Sequence, residues 1–166
     1  RHLFILTGAS RGMGLAMARQ LLTKDHVLLC IARNANAELT TLAASRDAVL
    51  VQWEQDLAET LVAVERLEEW LSDSEPAGLA SATLINNAGI APPPDPARTQ
   101  LSIENQMKRM EGKLDEMVPP NSTVDLSDAD WDRMMRIHLY GTFYGTRAAL
   151  RHMTPARSGS IVNISS

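Results

Sequence analysis

Five apolar runs of strand length, separated by stretches with helical spacing, constrain the fold of this chain most strongly. The runs are residues 3–6, 27–31, 49–53, 83–85 and 161–164. Apolar and polar residues do not alternate within them, which indicates strands buried on both faces, as in a parallel sheet covered by helices. Because parallel neighbours are joined by right-handed crossovers, the pattern predicts an α/β layered domain.

Helical periodicity fills the gaps between these runs. One predicted helix face carries Met13, Met17 and Leu21, and a second carries Leu57, Leu61, Val64, Leu67 and Leu71. Charged residues lie opposite the second stripe, as expected for a helix that packs on a sheet. Ser127, followed three residues later by Asp130, resembles a capping box and predicts the start of a long helix from about residue 128 to 153.

Composition narrows the class of protein. The 166 residues suit one domain, and a net charge of −4 gives no basic surface for nucleic acid or an anionic membrane. No apolar stretch reaches the roughly 18 residues of a membrane span, and no signal peptide is visible. The one cysteine, Cys30, cannot form an internal disulfide, which favours a cytoplasmic location. We assign no metal site.

A proline-rich stretch interrupts the alternation of predicted strands and helices. Residues 91–100, APPPDPARTQ, are predicted to be a loop, since proline is excluded from helix interiors and central strands. A helical stripe then follows and stops at Pro119; its members are Ile103, Met107, Met110, Leu114 and Met117. We favour a surface helix that packs this stripe on the body of the protein. The alternatives are a mobile flap over a pocket or a partner-binding helix.

The glycine-rich stretch TGASRGMG, residues 7–14, follows the first strand and opens the first helix. Glycine permits a tight turn and close approach of a ligand to the backbone, and free N–H groups at a helix N-terminus favour an anion. We therefore expect the turn to hold a pyrophosphate. Its Gly-x-x-x-Gly-x-Gly spacing differs from the commonest dinucleotide fingerprint, Gly-x-Gly-x-x-Gly.

Together with NNAG at 86–89 and SGSIVNISS at 158–166, this turn resembles the short-chain dehydrogenase/reductase family. Up to about Gly89 the chain is most similar to sepiapterin reductase and benzil reductase relatives, and from about Ser127 to 3-oxoacyl-[acyl-carrier-protein] reductases. The resemblance implies a Rossmann-type doubly wound parallel sheet of order 3-2-1-4-5. It also implies a single NAD(P)-binding domain over residues 1–166, with an inserted loop and helix at about 92–120.

The resemblance also implies a set of cofactor-binding residues. They are Gly8, Ser10, Arg11, Gly12, Met13, Gly14, Arg33, Asn34, Asp56, Leu57, Asn87, Ala88 and Gly89. The second strand ends without the acid that binds ribose hydroxyls in NAD enzymes, and Arg33 and Arg11 could flank a 2′-phosphate, so we expect NADP(H) rather than NAD(H). The alternatives are a surface cation at Arg33, a helix cap at Asp56 and a tie between strands at Asn87.

In this family a serine, a tyrosine and a lysine perform the chemistry with help from an asparagine. Ser166 matches the serine, with Ser165 as the less favoured register. His138 stands at the asparagine position, and both a catalytic role and a packed core histidine stay open for it. The family's Tyr-x-x-x-Lys lies beyond the serine, and these 166 residues contain no such pair.

We therefore expect a chain truncated before the last strands, with an exposed edge at 161–164 and no activity by itself. Ordinary divergence and a composite gene are both open as explanations for its two patterns of resemblance. The parent enzyme would be an NADP(H)-dependent oxidoreductase that transfers hydride between nicotinamide and a small carbonyl, ketone or 3-oxoacyl substrate. It would form homodimers or homotetramers through the long helix that contains His138. The alternative is a catalytically incomplete nucleotide-binding module.

Overall fold

A computed structural model describes residues 1–73, 81–119 and 123–165, which include a five-stranded parallel sheet. The strands are β1 His2–Thr7, β2 His26–Ala32, β3 Val49–Glu54, β4 Ser81–Asn86 and β5 Ser160–Asn163. Their order is β3-β2-β1-β4-β5, and each neighbouring pair is parallel. The predicted Rossmann-type α/β fold and strand order are thus confirmed.

The helices of the described residues follow the strands in alternation. They are α1 Gly12–Leu21, α2 Ala37–Ser45, α3 Thr60–Asp73, α4 Pro96–Met110, α5 Asp128–Met135 and α6 Gly141–Ala156. A short 3₁₀ turn spans Leu114–Glu116, and a π-helical segment spans Arg136–Tyr140. The long helix predicted from about 128 therefore exists as α5, the π segment and α6 in succession. Ser127 Oγ accepts from Asp130 N (3.1 Å), which is the first bond of a capping box, and donates to Asp130 Oδ2 (2.6 Å), where the reciprocal bond of a capping box would instead use the Ser127 backbone N–H.

The core lies on both faces of the three central strands. Leu3, Ile5 and Leu6 of β1 are fully buried, as are Leu28 and Leu29 of β2. Burial also raises the pKa of the Cys30 thiol on β2 to about 12, so that thiol stays protonated. The expectation of burial on both faces holds in part for β3, where Val51 packs on one core cluster and Leu50 on the other, but most of its residues are only half-buried. It is wrong for β5, which is largely exposed at the end of the sheet.

Two predicted helix stripes are partly wrong. On α1 the buried residues are Gly14 and Ala18, while Met13 is 57% exposed. The small side chains of Gly14 and Ala18 let α1 lie close to the sheet. The face of α1 that contacts the sheet is therefore the one that carries these small residues, and not the more apolar face that carries Met13. The second stripe holds on α3 for Val64, Leu67 and Leu71, but Leu61 is exposed and Leu57 precedes the helix.

The chain divides into two compact units. One comprises Arg1–Ile90 and the chain from Met134 onward, and the other comprises Ala91–Arg133, which contains the predicted insertion. The prediction of a loop through residue 100 is wrong, because α4 begins at Pro96. Asp95 accepts a hydrogen bond from Ala97 N (2.9 Å), and proline at the first helical position lacks only an N–H that would be unpaired anyway.

The apolar stripe of this second unit is exposed rather than buried. Ile103 is 49% exposed, Met107 57%, Met110 83% and Leu114 62%. The interior position of α4 is held instead by Asn105, which donates to Val118 O (2.7 Å) and accepts from Val118 N (3.0 Å). Four of the five residues in the predicted stripe are therefore exposed, contrary to the favoured interpretation of a buried stripe, and the fifth, Met117, is half-buried. Across the described residues, the helices are too short or too polar to cross a membrane.

Candidate functional site

A cleft of about 310 Å³ opens where β1 to β4 end, within the range of small-molecule sites, roughly 300–1,000 Å³. It is lined by Gly8, Ser10, Arg11, Gly12, Met13, Gly14, Arg33, Asp56, Leu57, Asn87, Ala88 and Gly89. These are all the residues assigned to a cofactor on sequence, except Asn34, which is exposed and does not line the cleft. Five lining residues were missed, namely Ile31, Ala32, Gln55, Ile90 and Ile137.

The three glycines of the β1–α1 turn differ in their backbone φ and in the space that surrounds each of them. A Cβ on Gly14 would lie 2.1 Å from Gly8 O, so this position admits no side chain. Gly8, at φ +72°, donates to Ile31 O (2.8 Å), which fixes the start of the turn against β2. Gly12 also has a positive φ, +56°, but a Cβ there would meet nothing within 4 Å. Gly12 therefore faces open space in the cleft, where a ligand can approach the backbone.

The N-terminus of α1 has backbone N–H groups and a helix dipole that favour binding of an anion. Arg11 is the N-cap, in an extended conformation, and its side chain makes no capping hydrogen bond within the described part of the chain. A helix leaves its first N–H groups without intrahelical partners, and its dipole adds partial positive charge at this end. The turn can thus bind a phosphate group through its backbone.

The ends of β1 and β4 are tied together by Thr7. Thr7 Oγ1 accepts from Asn87 N (2.9 Å) and Ala88 N (3.0 Å). Asn87 Nδ2 donates to Thr7 O (3.0 Å), while Asn86 Nδ2 donates to Asn163 Oδ1 (2.9 Å) on β5. Asn87 therefore makes the strand tie that sequence offered as an alternative, and it also lines the cleft.

A polar network behind the turn places Ser10. Asn36 Nδ2 donates to Ser10 O (3.1 Å), and Asn36 in turn caps α2. Gln52 of β3 makes two hydrogen bonds to the Asn36 backbone. Its Oε1 accepts from Asn36 N (2.8 Å), and its Nε2 donates to Asn36 O (3.1 Å). Asn36 was not predicted as a site residue, because the only signal in the sequence was its position before a helix, and Gln52 was not predicted because its position in the sequence is that of an ordinary strand residue.

Asp56 and Gln55 follow β3 at the far end of the cleft. Asp56 Oδ1 accepts from Ala58 N (2.9 Å), which closes a turn four residues before α3 begins at Thr60. The alternative of a helix N-cap at Asp56 is therefore wrong, and its carboxylate caps a turn instead. Gln55 is buried at 8% exposure although it is polar, and no sequence pattern had marked it.

His138 contacts the cleft wall from outside the cleft. Its Nε2 lies 3.1 Å from Ile90 N and 2.8 Å from Ile90 O, and Ile90 lines the cleft. A Cβ on Gly89 would lie 2.9 Å from His138 Cε1, so a side chain there would force the ring to shift. His138 is exposed and sits in the π-helical segment, so the alternative of a packed core histidine is wrong.

The serine assigned to catalysis, Ser166, lies outside the described residues. Ser165 is exposed just beyond β5, and Ile164 N donates to Asn86 O (3.0 Å). The edge strand predicted at 161–164 is confirmed as the end of the sheet, with Val162 41% exposed. Within the described ranges, no group of three or more His, Cys, Asp or Glu side chains is arranged to hold a metal ion.

Comparison with known proteins identifies relatives of this chain. L-xylo-3-hexulose reductase of Hypocrea jecorina is 32% identical over 178 residues, covering 99% of this chain and 51% of that protein. Benzil reductase ((S)-benzoin forming) of Bacillus cereus is 35% identical over 92 residues, covering 55% of this chain and 37% of that protein. The chain spans about half the length, or less, of these curated relatives.

Solved structures share the fold. A short-chain dehydrogenase/reductase from Burkholderia vietnamiensis superposes with a TM-score of 0.71 at 23% identity, over 100% of this chain and 63% of that one. A 3-oxoacyl-[acyl-carrier protein] reductase from Brucella melitensis in complex with NAD gives 0.68 at 24% identity, over 100% and 56%. A metagenomic short-chain oxidoreductase in complex with NADP gives 0.67 at 22% identity, over 99% and 62%.

The family model described as short chain dehydrogenase matches residues 2–166, which is nearly the whole chain and includes all three motifs. The family resemblance inferred from those motifs is thereby confirmed, and this chain belongs to the short-chain dehydrogenase family.

Proposed function

We propose that this chain is the NADP(H)-binding part of a reductase that transfers hydride between nicotinamide and a small carbonyl compound. One observation carries the proposal: the uncapped N-terminus of α1 and two arginines, Arg11 and Arg33, line the same cleft. Backbone N–H groups and guanidinium groups both bind phosphate oxygens. The names of the relatives, which are reductases and dehydrogenases, support the reaction class.

The residues present fit a dinucleotide. Gly14 and Gly8 allow the tight turn, and Gly12 leaves open space where a pyrophosphate would approach the backbone. Met13, 57% exposed at the start of α1, covers this part of the cleft with an apolar side chain. Ala88 and Gly89, which follow β4 and line the cleft, present little side-chain bulk to a ligand.

We propose a preference for NADP(H) over NAD(H). Among the described residues that line the cleft, Asp56 is the acidic one, and it follows β3 rather than β2. Arg33 follows β2, where an acid would otherwise receive the ribose hydroxyls. A guanidinium at this place is suited to a 2′-phosphate, and related structures have been solved with NADP and with NAD.

NADPH, when bound, supplies the hydride, and the residues of this chain bind and orient it. Ser166 would hold the carbonyl oxygen through its hydroxyl, which is a preorganised hydrogen bond. His138 would act through Ile90, by fixing the segment that follows β4. A proton donor of the Tyr-x-x-x-Lys type is not present in these 166 residues, so we expect the chain assayed alone to bind cofactor without turnover.

The remaining expectations are consistent with this proposal. We propose one NAD(P)-binding domain with an insertion, a cytoplasmic location, and a homodimer or homotetramer formed through the long helical region that contains His138. Tyr140, Phe143 and Leu150 are exposed by 46%, 57% and 44%, so this helical region has apolar side chains available for a symmetric contact.

Titration of the purified chain with NADPH and with NADH, followed by nucleotide fluorescence, tests the proposal. We expect saturable binding that is at least about tenfold tighter for NADPH, which corresponds to about 1.4 kcal/mol. Binding of neither nucleotide would overturn the proposal. In a parallel assay of NADPH oxidation with a diketone, turnover by the 166-residue chain would exclude the alternative, a catalytically incomplete nucleotide-binding module, and would contradict the expected inactivity of the chain assayed alone.

A further inference from the structure

A series of polar side chains joins β3 to the two loops that carry Arg33 and Arg11. Arg33 lies in the loop between β2 and α2, and Arg11 lies in the turn between β1 and α1. Asn36 belongs to the first loop, and its Nδ2 donates to Ser10 O in the second (3.1 Å). This side-chain hydrogen bond therefore ties together the two segments whose arginines line the cleft.

The orientation of the Asn36 amide is fixed by its partners. Oδ1 accepts from Glu38 N (2.9 Å) and Leu39 N (3.4 Å), and so caps α2, while Nδ2 faces Ser10 O. Backbone N–H groups can only donate and a carbonyl can only accept, so a flipped amide would lose all of these bonds. The two ends of this amide thus have separate roles, because the oxygen caps a helix and the nitrogen holds the turn.

Gln52 of β3 holds Asn36 from the other side. Its Oε1 accepts from Asn36 N (2.8 Å), and its Nε2 donates to Asn36 O (3.1 Å) and to Thr40 Oγ1 (3.0 Å). Glu54 of the same strand accepts a further bond from Ala35 N (3.3 Å). The loop after β2 is therefore fastened to β3 at the place where it contacts the turn. We call three of these residues the brace, namely Gln52, Asn36 and Ser10.

The brace acts on the part of the turn that carries Arg11. Because a peptide unit is planar, the bond that fixes Ser10 O also fixes Arg11 N and the start of the Arg11 side chain. The beginning of the turn is held independently, since Gly8 N donates to Ile31 O (2.8 Å). Loss of the brace should therefore loosen Arg11 relative to Arg33 and leave the first glycine of the turn in place.

We propose that the brace holds Arg11 and Arg33 at a fixed separation, and so sets how strongly the cleft prefers a nucleotide with a 2′-phosphate. This inference rests on the proposed function. The two guanidinium groups are always charged, so they repel each other, and a brace that opposes this repulsion before the ligand arrives lowers the ordering cost of binding. Asn36 and Gln52 are positioning residues, since neither of them lines the cleft.

The test compares the affinities of whole-chain variants for NADPH and NADH, measured by nucleotide fluorescence. Asn36→Ser is the decisive variant, because serine keeps the cap of α2 while its hydroxyl is too short to reach Ser10 O. We expect NADPH affinity to fall about fivefold and NADH affinity to change by less than about twofold, with a melting temperature near that of the wild type. Gln52→Met, which releases the Asn36 backbone, should lower the preference for NADPH in the same direction.

A double-mutant cycle separates action through the arginines from general loosening of the turn. In an Arg33→Ala background, Asn36→Ser should change NADPH affinity by less than about twofold, because the partner that the brace positions is gone. A further loss of about fivefold in that background would show that the brace supports only the turn, which overturns the inference.

Glu38→Gln is the matched control, because Glu38 joins α2 to Arg19 of α1 (Nε to Oε1, 2.7 Å) without bonding the turn through its side chain. It should leave both affinities unchanged. A loss of preference equal to that of Asn36→Ser, or an unchanged preference in Asn36→Ser or Gln52→Met, overturns the inference while the proposed function stands. A wild-type chain that binds both nucleotides equally overturns the proposed preference and this inference with it. Failure of the wild-type chain to bind either nucleotide overturns the proposed function itself.

Discussion

The glycine turn at residues 7–14 and the Ala91–Arg133 unit both interrupt the strand and helix pattern, yet they are held in different ways. Bonds from distant strands hold the turn, such as Gly8 N to Ile31 O (2.8 Å) and Asn87 Nδ2 to Thr7 O (3.0 Å). The described bonds of the second unit are local, such as Asn105 Nδ2 to Val118 O (2.7 Å). The turn therefore has its shape imposed by the sheet, whereas the unit builds its own.

This difference has a consequence for substitutions. A change in the turn strains contacts that several elements share, and it acts at the place where the proposed cofactor binds. A change on the exposed stripe of the second unit alters side chains that are already largely in water. Equivalent substitutions in the two regions should therefore have unequal effects, which can be measured directly.

The largest expected effect is that of Gly14→Ala. Its Cβ would lie 2.1 Å from Gly8 O, a backbone atom that cannot rotate away. We expect a free energy of unfolding lower by about 3 kcal/mol and an NADPH affinity reduced more than about 100-fold. Chemical denaturation and fluorescence titration measure the two.

Gly112→Ala in the second unit is the control for backbone strain without a clash. Gly112 has φ +74° and open space around it, so only the left-handed conformation penalises alanine, by about 1–2 kcal/mol. NADPH affinity should not change. A loss of affinity equal to that of Gly14→Ala would contradict the contrast between the regions.

Arg33→Ala should reduce NADPH affinity about 10- to 100-fold and leave NADH affinity unchanged, because hydrogen bonds to charged groups contribute about 1.5–3 kcal/mol. Titration of both nucleotides at fixed salt measures this. Arg109→Ala, an exposed arginine on α4, should change neither affinity. An equal loss for NADPH and NADH would show that Arg33 does not read the 2′-phosphate.

His138 substitutions should have a smaller effect, because its ring acts through Ile90. We expect His138→Ala to weaken NADPH binding about fivefold, the magnitude of one neutral hydrogen bond. His138→Asn should restore it, since an amide can donate to Ile90 O and accept from Ile90 N at once. If asparagine binds as weakly as alanine, the hydrogen bonds to Ile90 do not position the cleft wall.

The smallest effect is expected on the exposed stripe of α4. Met107 is 57% exposed, so Met107→Ser should change the free energy of unfolding by less than about 0.5 kcal/mol and leave NADPH affinity unchanged. Met153→Ser on α6, where methionine is 5% exposed, should cost about 3 kcal/mol by the same denaturation measurement. Similar losses for the two would mean that Met107 is buried in solution.

Features with a local cause were predictable from the sequence. Buried β1, β2 and β4 follow from continuous apolar runs, and Gly8, Gly12 and Gly14 follow from the demands of a tight turn before a helix N-terminus. The order of the sheet followed from the family resemblance that the motifs carry, and the cleft from the rule that parallel strands present their carboxyl ends together. Arg11 and Arg33 were found because they stand directly at two of those ends.

Tertiary structure decided what depends on partners far away in the chain. Periodicity placed Met13 in the core, but the close approach of α1 to the sheet made Gly14 and Ala18 the buried residues. Periodicity also favoured burial for the stripe of α4, although a stripe does not specify the surface that would cover it. Gln55 and Asn36, and the contact of His138 with Ile90, became visible only through hydrogen bonds, because a polar side chain acquires a role from the atoms that the fold brings within about 3 Å of it.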